Sequence, residues 1–128
     1  MQTKFINLTQ HLVTPEQEEV GVENLPAREI PLLKKLLTFD ELPTQDDLVR
    51  RAEKIGDMLT GIEFWGRQTE MKAMIGGAPF FMPVLAQMLL RRFGIKAVYA
   101  FSKRVAVDGP DGTKTSVFKH VGFVDHPY

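Results

Sequence analysis

Hydrophobic residues fall into short unbroken runs and into stripes recurring every three or four positions, and these two patterns predict strands and helices in turn. Residues 5–8 form an apolar run containing Asn7, and the polar triplet Thr9, Gln10 and His11 follows it. That reads as a first strand entering a loop. Thr14-Pro15-Glu16-Gln17 supplies an N-cap residue, a proline at the first helical position and a glutamate in the first turn. A short helix is expected to about Val20, ended by Gly21. Residues 22–25 can form a second strand before Pro26 breaks the run.

Apolar residues at 30, 32, 33, 36 and 37 mark a helix closed by Pro43. A stronger helix follows, capped by Thr44, in which Leu48, Ala52, Ile55, Leu59 and Ile62 repeat at helical spacing toward an expected end near Gly66. Residues 71–75 read as a strand entering Gly76-Gly77-Ala78-Pro79, and the apolar stretch 80–93 reads as a helix stopped by Gly94. Pro83 requires that this helix begin close to it or be kinked in its first turn. Residues 96–101 form a strand rich in Val, Tyr and Phe. Residues 105–107 and 116–124 flank Asp108-Gly109-Pro110-Asp111-Gly112, a hairpin signal.

This order predicts a single domain over residues 1–128. It is an α/β, Rossmann-like open sheet, mostly parallel, with right-handed crossovers, helices on both faces and a C-terminal antiparallel hairpin. In such sheets ligands bind beyond the carboxyl ends of the strands, where the strand order reverses. The rule selects the loops that begin at Thr9, Gly76 and Ser102.

Each loop carries a modest chemical signal. Gly76-Gly77 lets backbone N–H groups approach a phosphate at a helix N-terminus, and is equally the make-up of a tight turn. Its spacing matches neither the dinucleotide fingerprint nor a P-loop. His11 can serve as general acid or base near neutral pH, donate to phosphate, or simply bond a neighbouring carbonyl. Of Lys103 and Arg104, strand alternation turns one toward a pocket and leaves the other solvated. His120 on the last strand reads as a satisfied structural histidine and His126 as ordinary surface. Phe64, Trp65, Phe80, Phe81 and Met82 can stack on bases, yet aromatics so placed more often form core or dimer contacts.

Composition narrows the class. A chain of 128 residues with 44% hydrophobic content can build one core without staples, and it has no cysteine. The residues Met1 to Lys4 lack the apolar region of a signal peptide, and no run is long enough to span a membrane. A soluble cytoplasmic protein is expected. Sixteen basic and sixteen acidic residues cancel, which argues against binding long nucleic acid. Residues 1–66 are acidic in balance and residues 91–128 basic, so an anionic ligand should meet the C-terminal part. The three histidines show no metal-ligand spacing.

The segments Phe5-Ile6-Asn7-Leu8-Thr9-Gln10-His11, Thr14-Pro15-Glu16-Gln17 and Tyr99-Ala100-Phe101-Ser102-Lys103-Arg104, with the Gly-containing loop after the central strand and the ending from Asp111-Gly112 through Val121, resemble short stand-alone CRISPR-associated proteins of the Csx series, placed near the CARF superfamily. The resemblance implies a ring nuclease, which binds a cyclic oligoadenylate second messenger and cleaves it, without metal or cofactor, by attack of a ribose 2′-OH on the adjacent phosphodiester. It implies catalytic roles for His11, Ser102, Lys103 and Arg104. Ligand contacts are expected from Asn7, Thr9, Gln10, Gly76, Gly77, Ala78 and Pro79. The approximate symmetry of cyclic tetra-adenylate suits an isologous homodimer. A non-catalytic nucleotide sensor and a partner-binding protein of the same fold are the competing readings.

Overall fold

The computed structural model describes residues 2–60 and 69–128. Five strands form one sheet in the order β2-β1-β3-β4-β5, from β1 (Gln2–Leu8), β2 (Val22–Asn24), β3 (Thr69–Ile75), β4 (Lys96–Asp108) and β5 (Lys114–Asp125). The first four are parallel, and β5 returns antiparallel to β4. Four α-helices connect them: α1 (Pro15–Glu19), α2 (Ile30–Leu37), α3 (Gln45–Leu59) and α4 (Met82–Phe93). The mixed α/β class, the mostly parallel sheet and the closing hairpin are those the pattern predicts.

Local signals account for most boundaries. Thr14 and Gln17 form a reciprocal capping box at α1, and Thr44 accepts from the Asp47 N–H at α3. Gly94 ends α4 in the left-handed conformation. Pro83 falls in the first turn of α4, so the regular helix starts beside it. The expected continuation of α3 through Ile62 toward Gly66, and the aromatic pair Phe64 and Trp65, lie outside the described residues. No helix among the described residues is long and apolar enough to cross a membrane.

Register places Ile6, Ala73 and Ala97 side by side on one face of the sheet. The two alanines allow α2, α3 and α4 to close on that face, where Leu33, Ile55, Phe81, Leu85 and Leu89 complete the main core. The opposite face carries a smaller cluster of Val22, Met74 and Val98, with Phe5, Val13 and Phe123 packed against it. Phe5 on β1 and Phe123 on β5 stack with ring centroids 4.1 Å apart although β3 and β4 separate their strands. The sheet must therefore curl strongly toward this second face. The short α1 touches both β2 and β5, and Glu16 Oε2 accepts from the His120 N–H at 3.0 Å, closing the concave side.

Most boundaries shift by a few residues, and one difference bears on the site: no loop begins at Ser102. β4 continues to Asp108, and its pairing with β5 shifts register between Phe101 and Ser102, skipping Val121. An extra residue in one strand bends a ribbon without breaking it, and the antiparallel partner pairs with β4 from Val98 to Asp108. Residues 102–104, read as a loop from their polarity, form part of a two-stranded arm.

The Phe5–Phe123 stack should report on the curl. Phe123→Ala is expected to cost roughly 2–4 kcal/mol, somewhat less than truncating a fully buried aromatic, because the ring is only partly buried. In a double-mutant cycle with Phe5→Ala, the coupling energy should reach about 0.5–1.5 kcal/mol. Strictly additive unfolding energies would show that the stack does not hold the sheet in this shape.

Candidate functional site

Asn7, one residue before the end of the first strand, is a buried polar residue, only 4% exposed. Its carboxamide is fully engaged. Oδ1 accepts from the Thr9 N–H at 3.0 Å and from Thr9 Oγ1 at 2.7 Å. Nδ2 donates to the His11 carbonyl at 2.6 Å and to Asn24 Oδ1 at 2.9 Å. Asn24 Oδ1 in turn accepts from the Val13 N–H at 3.1 Å. One side chain thus shapes the whole loop after β1 and ties it to β2. Gln10 Nε2 donates to Thr38 Oγ1 at 2.8 Å, anchoring the loop to the end of α2.

The loop after β3 lies opposite. Gly77 has φ +151°, a backbone conformation open to glycine, and a Cβ on Gly76 would come within 3.3 Å of the Thr9 methyl. Small residues here let the two loops approach. The Ala78 carbonyl accepts from the N–H groups of Phe81 and Met82, turning the chain into α4.

Between these loops lies a crevice of about 400 Å³ lined by Thr9, His11, Gly76, Gly77, Tyr99 and Ala100, with Gln10 also on its wall. In the order β2-β1-β3 the direction of winding reverses between β1 and β3, so the crevice occupies the carboxyl-end switch point. The structure therefore brings together two of the three predicted loops. Asn7 lies beneath as the organiser of the loop, and Ala78 and Pro79 lie beyond the lining.

Ser102, Lys103 and Arg104 do not line the crevice. They are exposed on the hairpin arm. Alternation places Ser102 and Arg104 on the face of Ala100, and Lys103 on the face of Tyr99. Lys103 stands opposite Lys119 across the ribbon, and the Arg104 guanidinium lies 5.1 Å from the centre of the Phe118 ring. Among the described residues, no lysine or arginine lines the crevice.

Several site residues escaped the sequence reading. Thr14 and Gln17 line the crevice as well as capping α1, and Tyr99 was legible only as a strand residue. Tyr99 Oη lies 2.9 Å from His126 Nδ1. Burial, with the neighbouring Tyr128 second, raises the Tyr99 pKa, which keeps the phenol protonated. His126 is accordingly not ordinary surface: its N–H bonds the Ala97 carbonyl, and the Tyr128 hydroxyl accepts from the Ala97 N–H at 2.8 Å. Phe81 and Met82 are buried in the core, whereas Phe80 is half exposed against Phe39.

His120 departs from the satisfied histidine expected of it. Its ring packs on Phe123 with centroids 4.9 Å apart. Both ring nitrogens are shielded from solvent with no hydrogen-bond partner among the described residues. A buried polar group in that condition costs stability, whereas an apolar ring of similar size does not. His120→Phe is expected to leave the melting temperature unchanged or raise it. Asn7→Ala should lower stability by about 2–3 kcal/mol, because it strips the partners from several part-buried groups at once. Chemical denaturation of both variants checks the pair, and the opposite order would contradict the hydrogen-bond assignment.

No curated protein and no solved structure matches the chain. A family model described as the uncharacterized protein MJ1673 family matches residues 3–124. The match covers nearly the whole domain, both crevice loops and the arm included, and the chain belongs to that family.

Proposed function

We propose that this protein binds a cyclic oligoadenylate over the switch-point crevice and opens the ring by metal-independent phosphodiester cleavage. The observation that carries the reading is the convergence of His11, Thr9 and the Gly76-Gly77 backbone at the carboxyl ends of β1 and β3, where sheets of this kind gather nucleotide ligands. The resemblance of the same segments to the Csx series supports it. A volume near 400 Å³ lies toward the lower end for small-molecule pockets and suits one nucleotide unit. The remainder of a ring then extends along the concave face of the arm, where Ser102 and Arg104 lie.

In the step itself the ribose 2′-oxygen forms a bond to the adjacent phosphorus as the bond from phosphorus to the 5′-oxygen breaks. A cyclic 2′,3′-phosphate and a free 5′-hydroxyl result. His11 takes the proton from the 2′-OH, and water or the same imidazole returns one to the departing oxygen. Arg104 offsets the charge that builds on the phosphoryl oxygens. Its ligand being a diffusible intracellular messenger, the protein acts in the cytoplasm.

That none of the described residues lining the crevice is a lysine or arginine favours a second reading, a sensor that binds the ring without cleaving it. Calorimetry and chromatography with cyclic tetra-adenylate separate the two. The enzyme reading expects tight binding and linear products, with cleavage surviving EDTA. Tight binding with the ring intact over hours leaves the sensor, and no binding to any cyclic oligonucleotide sinks both.

Single-turnover rates test the residues. Arg104→Ala should slow cleavage on the order of 100-fold, as loss of one preorganised donor does, while Lys103→Ala stays mild. His11→Ala should cost about tenfold to 100-fold. If folded variants at all three positions cleave like the parent protein, the site is wrongly placed.

A further inference from the structure

The helical side of the sheet carries a second concavity, away from the crevice. Glu53 on α3 meets Arg92 on α4 at 2.8 Å, whereas Gln45 at the start of α3 shares a groove with Phe80 just before α4. The two helices therefore run parallel. The groove between them encloses about 580 Å³, and Leu48, Val49, Phe80, Val84 and Met88 form its apolar wall. Val49 and Phe80 remain 42% and 50% exposed there, and nothing within the described chain covers them.

The two ends of the groove carry opposite charge. At the N-terminal end the exposed segment Asp40-Glu41-Leu42 leads into α3, whose first turn adds Asp46, while Asp47 is taken up by Arg50 and Arg51. At the C-terminal end Arg91 and Arg92 close the last turn of α4. Arg92 is engaged by Glu53, which leaves Arg91 available. Leu42 is 96% exposed, a large apolar side chain held out into solvent between an acidic pair and a proline.

We infer that this groove is the interface between two copies of the chain. A two-fold axis crosses α3 and α4, Leu42 of each copy enters the far end of the other's groove, and Asp40 and Glu41 face the other copy's Arg91. An axis perpendicular to two parallel helices inverts them, so the acidic end of each copy meets the basic end of the other, twice. The apolar walls then cover one another at the centre. Packing the same faces in parallel would set acid against acid and base against base. The pattern of charge selects the antiparallel pairing, and the buried leucine supplies an anchor of the kind that dominates interface energetics.

This interface is independent of the nucleotide reading, because the measurement needs no ligand. Light scattering on the full chain at micromolar concentration is expected to give twice the monomer mass. Leu42→Asp and Arg91→Glu should each give monomers, and circular dichroism should show the native spectrum and a cooperative melt for both. Reversing the acidic pair with Asp40→Lys and Glu41→Lys should also give a monomer, and adding Arg91→Glu to that variant should restore the dimer. Phe118→Asp on the hairpin arm should remain dimeric. A monomeric parent protein, a Leu42→Asp variant that stays dimeric, or dissociation by Phe118→Asp overturns the inference.

Discussion

The carboxamide of Asn7 is the interaction on which the site depends. Burying an amide without partners is costly, and this one meets a partner at every donor and acceptor it presents. Its hydrogen bonds to Thr9, His11 and Asn24 convert that cost into geometry. They turn the chain sharply after β1, hold Thr9 and the His11 backbone at the strand's end, and lock β2 to its neighbour. The loop keeps its shape because a buried network of this kind is stable only when all its members are satisfied together.

A second constraint acts on the sheet. The two alanines at its centre permit helices to approach closely on one side, and the arm formed by β4 and β5 folds over the other. The skipped Val121 lets the ribbon bend, and Phe123 crosses two strands to reach Phe5. Curling brings α1 against both edges, so a helix with no buried residue of its own becomes part of the enclosing wall. Thr14 and Gln17 consequently cap a helix and line the crevice at once.

Much of this was legible in the sequence where the cause is local. The capping threonines at 14 and 44, Gly94 after α4, the turn at residues 108–112 and the alternation of patterns along the chain all act within a few residues. The switch-point rule then identified the Thr9 and Gly76 loops from element order alone. Polarity misled at Ser102 to Arg104. Three polar residues resemble a loop, yet a twelve-residue partner strand supplies their backbone hydrogen bonds from elsewhere in the chain.

The sequence by itself determined the α/β class, the parallel order with its closing hairpin, and two of the three loops that meet at the crevice. Each follows from periodicity, caps and turns, which are short-range physics. Only the tertiary structure decided the rest: that Asn7 organises the loop from below, that Tyr99 reaches His126, that the His120 ring nitrogens are shielded without a partner among the described residues, and that Arg104 stands on the arm away from the crevice. Those outcomes depend on register and curl. A single skipped residue in β5 changes which side chains share a face, and no local pattern in the chain records which residue the pairing will skip.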